Sequence, residues 1–234
     1  MPGAQNYTKQ KAEEAMNYKK EIIDRIRKIS GKYSPYDVFH DWIKCSAIAI
    51  ANTYTIPISK IWKEREKEYI ETMRKYEKEE GLLFSEMLLL LDLELKTREY
   101  DALGAIYMES EMGNKSTGQF FSPYGVSKIL QKVSVHDIKK KIYLYEPTCG
   151  SGGNVIAVAA ELKEQGIDYR KNMEVVTQDL DWKSVYMTYL QLSLMGVSAT
   201  CIQGDVLEKR HETQEEKMNV FYTPEKVKRD MKWR

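Results

Sequence analysis

The chain has 234 residues, of which 42% are hydrophobic and 30% charged, a composition typical of a globular protein with one large domain or two small ones. Its net charge of +1 excludes a strong overall electrostatic attraction to nucleic acid. Any DNA contact must therefore come from a local patch or a partner. The sequence contains neither a signal-peptide pattern nor an apolar run of membrane-spanning length.

Three cysteines, Cys45, Cys149 and Cys201, lie far apart in the sequence and are odd in number. This arrangement predicts neither a disulfide framework nor a zinc site, and it fits a reducing compartment. We therefore expect a cytoplasmic protein that holds no metal ion and does not contact a membrane.

Residues 1–100 predict a helical domain, because their apolar residues recur at helical spacing. Serine and proline residues at the predicted helix starts supply N-caps and first turns. The third helix carries alternating charges, which predict a solvated face. The predicted helices cover 11–29, 34 to about 52, 59–78 and 81 to about 95.

Two further helices are predicted on either side of a flexible loop at 113–118. The first covers 101–109 and contains Gly104, where we expect close packing. The second covers 124–133, with Ser122 as its N-cap and Pro123 in its first turn.

A strand, a glycine turn and a helix follow one another between residues 142 and 162. Residues 142–145 predict a short buried strand, which Pro147 ends. Gly150, Gly152 and Gly153 then allow a tight turn and a close approach of the backbone to a ligand, and a helix starts at Asn154. Together these parts predict a nucleotide-type site at a helix N-terminus.

The acid before the glycines restricts the ligand. No Gly-Lys-Ser/Thr follows the turn, so that it is not a Walker loop. Glu146 would repel a phosphate and fits a cationic or hydroxyl-rich ligand better. A plain tight loop without a ligand remains an alternative at this point. An NAD-binding oxidoreductase is disfavoured, because Glu146 and Pro147 replace the usual glycine-first loop.

The alternation of strand and helix then repeats, which predicts a doubly wound α/β unit with ligand groups at the carboxyl ends of its strands. Asp179 follows the second predicted strand, where an acid can bind ribose hydroxyls. Asp205 follows the third, where a carboxylate can accept a hydrogen bond from an exocyclic amine such as that of adenine. These strands cover 173–177 and 199–203, the helix between them covers 182–195, and 219–222 are a candidate fourth strand before a basic tail.

Four motifs, taken together, resemble those of N6-adenine DNA methyltransferases, and above all the modification subunit of type I restriction-modification systems. In chain order they are Gly118-Gln-Phe-Phe-Ser-Pro123, Glu146-Pro-Thr-Cys-Gly-Ser-Gly-Gly153, Gln178-Asp179 and Gly204-Asp205. The segment Asp101-Ala-Leu-Gly104, with Tyr107 and Glu109, is similar to the one that precedes the first motif in that family. The resemblance covers about residues 100–207 clearly and the helical part loosely.

The resemblance implies an α/β fold, with an N-terminal helical domain at 1–100 followed at 101–234 by a partial Rossmann-like domain of a class I S-adenosylmethionine-dependent methyltransferase. It also implies S-adenosylmethionine as the cofactor, whose sulfonium and ammonium groups tolerate Glu146. In the family's pattern, Asp179 would hold the ribose hydroxyls and Asp205 the adenine amine. The implied cofactor-binding residues are Phe120, Phe121 and Pro123 at the methionine end, Glu146, Thr148, Gly150 and Gly152 around the amino-acid and ribose portions, and Asp179 and Asp205.

One departure concerns catalysis. The family carries an Asn/Asp-Pro-Pro-Tyr/Phe tetrapeptide after its fourth strand, which holds the flipped adenine. The sequence contains no such tetrapeptide, although Tyr222-Thr223-Pro224 lies near the expected place along the chain. The catalytic residues are therefore not assigned, and we expect the partial sheet to expose an unpaired edge.

Two functions remain open. The first is a protein of this methyltransferase family that binds S-adenosylmethionine and takes part in N6-adenine methylation of DNA in a restriction-modification context. The alternative is a non-catalytic cofactor-binding or regulatory module. The expected partners are DNA, contacted through a partner, and a specificity subunit or a remaining methyltransferase fragment.

Overall fold

The computed structural model describes residues 17–110, 124–134, 141–207 and 218–231. Within these ranges the chain forms, in order, α1 (Tyr18–Ile29), α2 (Pro35–Thr53), α3 (Lys60–Met73), α4 (Lys78–Thr97), α5 (Ala102–Glu109), α6 (Tyr124–Ser134), β1 (Ile142–Glu146), α7 (Gly153–Glu164), α8 (Tyr169–Asn172), β2 (Met173–Asp179), α9 (Trp182–Met195), β3 (Ser198–Gln203), β4 (Val220–Tyr222) and α10 (Pro224–Met231). The short helix α8 has no counterpart in the sequence prediction.

Polar side chains cap the helices where the sequence predicts helix starts. The hydroxyl of Ser34 accepts a hydrogen bond from the backbone N–H of Asp37, whose carboxylate reaches back to the N–H of Ser34. The hydroxyl of Ser59 accepts the backbone N–H of Trp62 and caps α3. The predicted start of the first helix at Lys11 lies outside the described residues, and α1 is capped by Asn17.

The boundary between α3 and α4 differs from the prediction. α3 ends at Met73 rather than at Lys78, and α4 already begins at Lys78, so that Gly81 lies inside it. The N–H of Glu77 donates to the carboxylate of Glu80 and starts α4. Between the helices Tyr76 is buried, a tertiary contact that periodicity along the sequence does not show.

α3 is not solvated along its whole length, and the prediction of a solvated face is wrong at Arg65. This side chain is 5% exposed. Its guanidinium donates to the carbonyl oxygen of Val220 at 2.6 Å and lies 4.1 Å from the ring centre of Phe221. Arg65 thereby ties the helical part to β4, and cation–π contact offsets part of the cost of burying its charge.

The sheet has the order β1-β2-β3-β4. The first three strands are parallel, with Glu146 beside Thr177 and Asp179 beside Gln203. α7 and α9 are the crossovers between them, as expected for a doubly wound unit. The segments that follow these three strands therefore meet at one edge of the sheet. β4 runs antiparallel to β3, so that Tyr222 pairs with Thr200.

The edge of β1 is open in the part of the chain that the structure describes, where β1 pairs with β2 only. Tyr143 and Tyr145 point to the same face of this strand and are 74% and 45% exposed. Parallel strands are usually covered on both faces and paired at their edges. The expected unpaired edge is thus present among the described residues.

A single buried cluster runs from the helical part into the sheet part. Trp42 of α2 is fully buried and donates its indole N–H to the carbonyl oxygen of Phe84 at 3.1 Å. Tyr189 of α9 is also fully buried and packs on Phe221 of β4. α9 therefore lies between the sheet and the helical layer. Within the described ranges, no helix has the length and apolar character needed to cross a membrane.

Asp41 joins α2 to the turn after α3, and its ionisation should stabilise the fold. Burial alone would raise the pKa of Asp41, but the nearby His40 ring and hydrogen bonds from Lys75 and Tyr76 outweigh it and lower the pKa to about 2. Because the folded pKa is depressed, this stabilisation is present above the unfolded pKa and is lost as the pH falls toward 2. We expect Asp41→Asn to reduce the free energy of unfolding by about 2 kcal/mol at neutral pH.

Urea unfolding at about pH 7 and about pH 3 measures this effect, and the difference between wild type and Asp41→Asn should shrink at the lower pH. Asp24→Asn is the control, because Asp24 is exposed on α1. A difference between wild type and Asp41→Asn that stays constant across this range would contradict the assigned role of the Asp41 charge.

Candidate functional site

The turn after β1 contains glycines in a conformation that other residues rarely adopt. Gly150 and Gly152 have φ angles of +54° and +95°. A Cβ at Gly152 would lie 3.1 Å from the hydroxyl oxygen of Thr188 on α9. Thr188 donates to the carbonyl oxygen of Gly150 at 3.0 Å, and the N–H of Cys149 donates to that of Gln178 at 3.0 Å. These contacts seat the turn between β2 and α9.

Asp179 lies in direct contact with this turn. Its Oδ2 accepts a hydrogen bond from the N–H of Gly150 at 2.9 Å, and its Oδ1 accepts one from the N–H of Asp181 at 3.0 Å. A carboxylate has about four lone-pair sites, so that about two remain for a ligand. The structure therefore brings together the glycine turn and the strand-end acid, which the sequence predicts as separate features.

Glu146, at the end of β1, is oriented by two helices. Its carboxylate accepts a hydrogen bond from the side-chain amide of Asn154 on α7 at 3.2 Å. The amide oxygen of Asn154 accepts in turn from the hydroxyl of Ser127 on α6 at 2.7 Å. Sequence reasoning missed Asn154 and Ser127 as supports of this acid, because their proximity depends on how α6 packs against α7.

The loops after β2 and β3 also lie side by side. The N–H of Gly204 donates to the carbonyl oxygen of Asp179 at 2.9 Å, and the amide of Gln178 donates to the carbonyl oxygen of Gly204 at 3.2 Å. Asp205 follows directly, is partly buried, and accepts the N–H of Leu207 at 2.8 Å. The structure thus places Asp205 next to the loop that carries Asp179.

The remaining predicted positions differ in what the structure shows of them. Thr148 is exposed in the turn. Phe120, Phe121 and Pro123 lie outside the described residues. Leu180, which the sequence analysis did not select, follows Asp179 and is 67% exposed. Its side chain forms an apolar surface beside Asp179. Its place in the sequence, directly after a strand-end acid, is the feature from which it could have been predicted.

Asp101, the N-cap of α5, connects the helical part to the glycine turn. It is 4% exposed and accepts hydrogen bonds from the N–H of Gly104 at 2.8 Å, from the side-chain amide of Gln191 on α9 at 2.9 Å, and from the hydroxyl of Ser151. Gln191 also donates to the carbonyl oxygen of Ser151 at 2.8 Å. Side chains of α5 and α9 thereby hold the glycine turn at Ser151 through buried hydrogen bonds.

Burial raises the pKa of Asp101, because the hydrogen bonds from Ser151, Gln191 and Gly104 only partly offset the loss of solvation. Burial likewise raises the pKa of the Cys149 thiol, whose side chain lies under the turn, so that this group is not a ready nucleophile. Among the described residues, no cluster of histidine, cysteine, aspartate or glutamate side chains is arranged to hold a metal ion.

The segment Tyr222-Thr223-Pro224 does not lie at this edge of the sheet. β4 runs antiparallel to β3, so that it ends at the amino ends of the parallel strands, opposite the glycine turn. The Thr223 hydroxyl donates to the carbonyl oxygen of Val197 at 2.7 Å and accepts the N–H of Ala199 at 2.9 Å. This segment therefore lies away from the glycine turn, although along the sequence it is near the place expected for the tetrapeptide.

The chain matches known proteins in sequence and in fold. The family model described as N-6 DNA Methylase matches residues 98–229, more than half of the chain. The chain is 29% identical over 114 residues to a protein named as the type I restriction enzyme MjaIX methylase subunit of Methanocaldococcus jannaschii, and this match covers 47% of the chain and 19% of the relative.

A crystal structure from Listeria monocytogenes, described as a class I S-adenosylmethionine-dependent methyltransferase, has a TM-score of 0.50 and 12% identity to this chain. The likeness covers 86% of this chain and 57% of that one. It confirms the predicted α/β Rossmann-like fold. The chain spans less than two thirds of the length of either relative.

The contribution of the hydrogen bonds to Asp101 to the stability of the fold can be tested by substitution. Asp101→Ala leaves the three donors from Gly104, Gln191 and Ser151 without their acceptor, and we expect it to lower the free energy of unfolding by about 2–4 kcal/mol. Asp101→Asn keeps an acceptor of similar shape and should cost much less. Urea unfolding of both variants measures the difference.

The same variants test the sign of the pH dependence. Because the folded pKa of Asp101 is raised, its favourable contribution is complete below the unfolded pKa and is lost as the pH rises through the folded pKa. As the pH rises above the unfolded pKa of about 3.9, the wild type should therefore lose stability relative to Asp101→Asn. If the wild type instead gained stability relative to Asp101→Asn as the pH rises, the fold would stabilise the charged form of the Asp101 carboxylate.

Proposed function

The chain belongs to the N-6 DNA methylase family, and from this we propose that it binds S-adenosylmethionine at the carboxyl ends of β1, β2 and β3. The observation that carries the proposal is the contact between Asp179 and the N–H of Gly150. This contact supports the proposal, because a carboxylate, a group that can bind ribose hydroxyls, lies directly against a turn whose backbone a ligand can approach closely.

The charges of the site agree with this ligand. Glu146 and Asp179 lie at neighbouring strand ends, and neither forms an ion pair with a lysine or arginine among the described contacts. Two carboxylates suit a ligand with a sulfonium, an ammonium group and ribose hydroxyls, and they would repel a pyrophosphate. Gly152 supports the fit, because a side chain there would be strained at a φ angle of +95° and would crowd Thr188.

We assign the following roles to the residues. Asp179 binds the ribose hydroxyls with the lone pairs that Gly150 and Asp181 leave open. Glu146 attracts the cationic amino-acid portion, and Asp205 accepts from the adenine amine. When bound, the cofactor supplies an electrophilic methyl group. The other predicted contacts, Phe120, Phe121, Pro123, Thr148, Gly150 and Gly152, remain part of the proposal.

We further propose that the protein takes part in N6-adenine methylation of DNA together with partners. The relative from Methanocaldococcus jannaschii is named as a methylase subunit of a type I restriction enzyme. The open edge of β1, with exposed Tyr143 and Tyr145, can accept a further strand from a methyltransferase fragment. DNA and a specificity subunit are the other partners in this proposal.

One observation favours the second candidate function, a non-catalytic cofactor-binding or regulatory module. Thr223 is fully buried and uses its hydroxyl inside the sheet, so that Tyr222-Thr223-Pro224 is not available to hold a base. Both candidates require the same cofactor site, and they differ in whether methyl transfer occurs.

Cofactor binding is directly measurable. We expect S-adenosylmethionine to bind the purified protein with a dissociation constant in the micromolar range, of order 7–8 kcal/mol of binding free energy. Asp179→Ala should weaken binding by about 1.5–3 kcal/mol, because it removes charge-assisted hydrogen bonds to the ribose. Titration calorimetry compares this variant with wild type and with Asp24→Ala, a control on the exposed face of α1.

The outcomes of this titration are distinct. No heat and no thermal shift at millimolar ligand would refute cofactor binding. Equal affinity of Asp179→Ala and wild type would mean that another acid binds the ribose, and Asp181, whose N–H donates to Asp179, is the next candidate.

We expect the chain alone not to methylate DNA at a useful rate. Methyl transfer needs an adenine amine held in line with the methyl group, and such positioning contributes up to about 7–11 kcal/mol to lowering a barrier. The sequence lacks the tetrapeptide that holds the base, and a net charge of +1 gives little independent grip on phosphates. Incubation with tritiated cofactor and mixed-sequence DNA measures transfer. Transfer to adenine that disappears in Asp205→Ala would contradict this expectation.

A further inference from the structure

The ammonium group of Lys183 is buried beside the proposed ribose site, and none of the roles assigned above uses it. The side chain is 1% exposed and belongs to the first turn of α9. Its Nζ donates to the hydroxyl of Tyr107 at 3.1 Å and lies 3.6 Å from Oδ2 of Asp181. Burying a charge is costly unless it is paired and hydrogen-bonded, so that these contacts are what makes the position tolerable.

The surroundings of Lys183 come from the helical layer. Its Nζ lies 4.5 Å from the ring centre of Tyr107 on α5 and 5.3 Å from that of Tyr36 on α2. The faces of aromatic rings attract a cation at such distances, and the attraction is stronger where water is excluded. Two helices outside the sheet thus determine where this ammonium group lies.

Lys183 is linked to the ribose acid through Asp181. One oxygen of Asp181 accepts the backbone N–H of Lys183 at 3.0 Å and caps α9, while the other faces the ammonium group. The backbone N–H of Asp181 donates to Oδ1 of Asp179 at 3.0 Å. The position of Asp181 therefore sets the direction of one of the two hydrogen bonds that orient Asp179; Gly150 provides the other.

We propose that Lys183 is a positioning residue for the ribose-binding acid: held by Tyr36 and Tyr107, it fixes Asp181 and, through the Asp181 backbone, the orientation of Asp179. The inference rests on the proposed binding of S-adenosylmethionine. It makes the helical layer a part of the cofactor site without direct contact to the ligand.

The test separates positioning from general stability by measuring a preference between two ligands. S-adenosylhomocysteine and its 2′,3′-dideoxy analogue differ only in the two ribose hydroxyls that Asp179 would bind. We expect wild type to prefer the hydroxyl-bearing ligand by about tenfold or more, as calorimetry would show. Lys183→Met, of similar shape and without charge, should reduce this preference to about threefold or less.

A matched control removes another lysine. Lys226 pairs with Glu174 at 2.7 Å near the amino end of β2. The glycine turn lies at the other end of the parallel strands. We expect Lys226→Met to lower thermal stability and to keep the wild-type ligand preference. A control that lost the preference as Lys183→Met does would overturn the inference.

A second pair of variants covers the case in which Lys183→Met does not fold. Tyr107→Phe removes only the hydroxyl that accepts from Lys183, and Tyr100→Phe removes a buried hydroxyl bonded to Glu94. We expect the preference to fall about twofold to threefold in Tyr107→Phe and to stay unchanged in Tyr100→Phe.

The remaining outcomes distinguish this inference from the proposed function. Wild type that binds neither ligand would refute the proposed cofactor binding itself. In the other case, wild type binds with the expected preference, and Tyr107→Phe and any folded Lys183→Met keep this preference while their thermal stability falls. Cofactor binding would then stand. That last result would overturn the positioning role of Lys183.

Discussion

The buried carboxylate of Asp101 is the contact on which the arrangement of the site depends. It joins α5, the glycine turn and α9 through hydrogen bonds from Gly104, Ser151 and Gln191. A Cβ at Gly104 would lie 2.1 Å from its Oδ2, and one at Gly153 3.2 Å. A side chain at Gly104 would therefore displace this carboxylate, and one at Gly153 would crowd it. The helical layer and the sheet share one polar junction beneath the turn.

The charges at the strand ends follow from how the turn uses its backbone. A glycine turn before a helix usually offers its N–H groups to an anion. Here the N–H of Gly150 is taken by the carboxylate of Asp179, and Glu146 adds a second negative group. These groups make the end of the sheet negative, which agrees with the cationic and hydroxyl-bearing ligand that we propose for it. Lys183 lies behind Asp181 and provides a positive charge on the side away from solvent.

The direction of β4 places its end away from the proposed cofactor site. Because β4 is antiparallel, its end lies across the sheet from Glu146 and Asp179. A group at the end of β4 is therefore not positioned beside Glu146 and Asp179. Along the sequence, Tyr222 follows the third strand at a suitable distance, and nothing in the sequence indicates the direction of the strand. Pairing with β3 and the buried Thr223 hydroxyl decide it.

The sequence by itself determined the element order and the chemical character of the site, because apolar periodicity, capping residues and glycine punctuation are local signals. The predicted parallel unit is confirmed, with Asp179 at the end of β2 and Asp205 in the loop after β3. Only the tertiary structure decided which groups meet: the contact of Asp179 with Gly150, the burial of Arg65 on a charged helix, and the link from Lys183 to Asp181. These contacts join residues from different elements, and helix packing and strand direction bring them together.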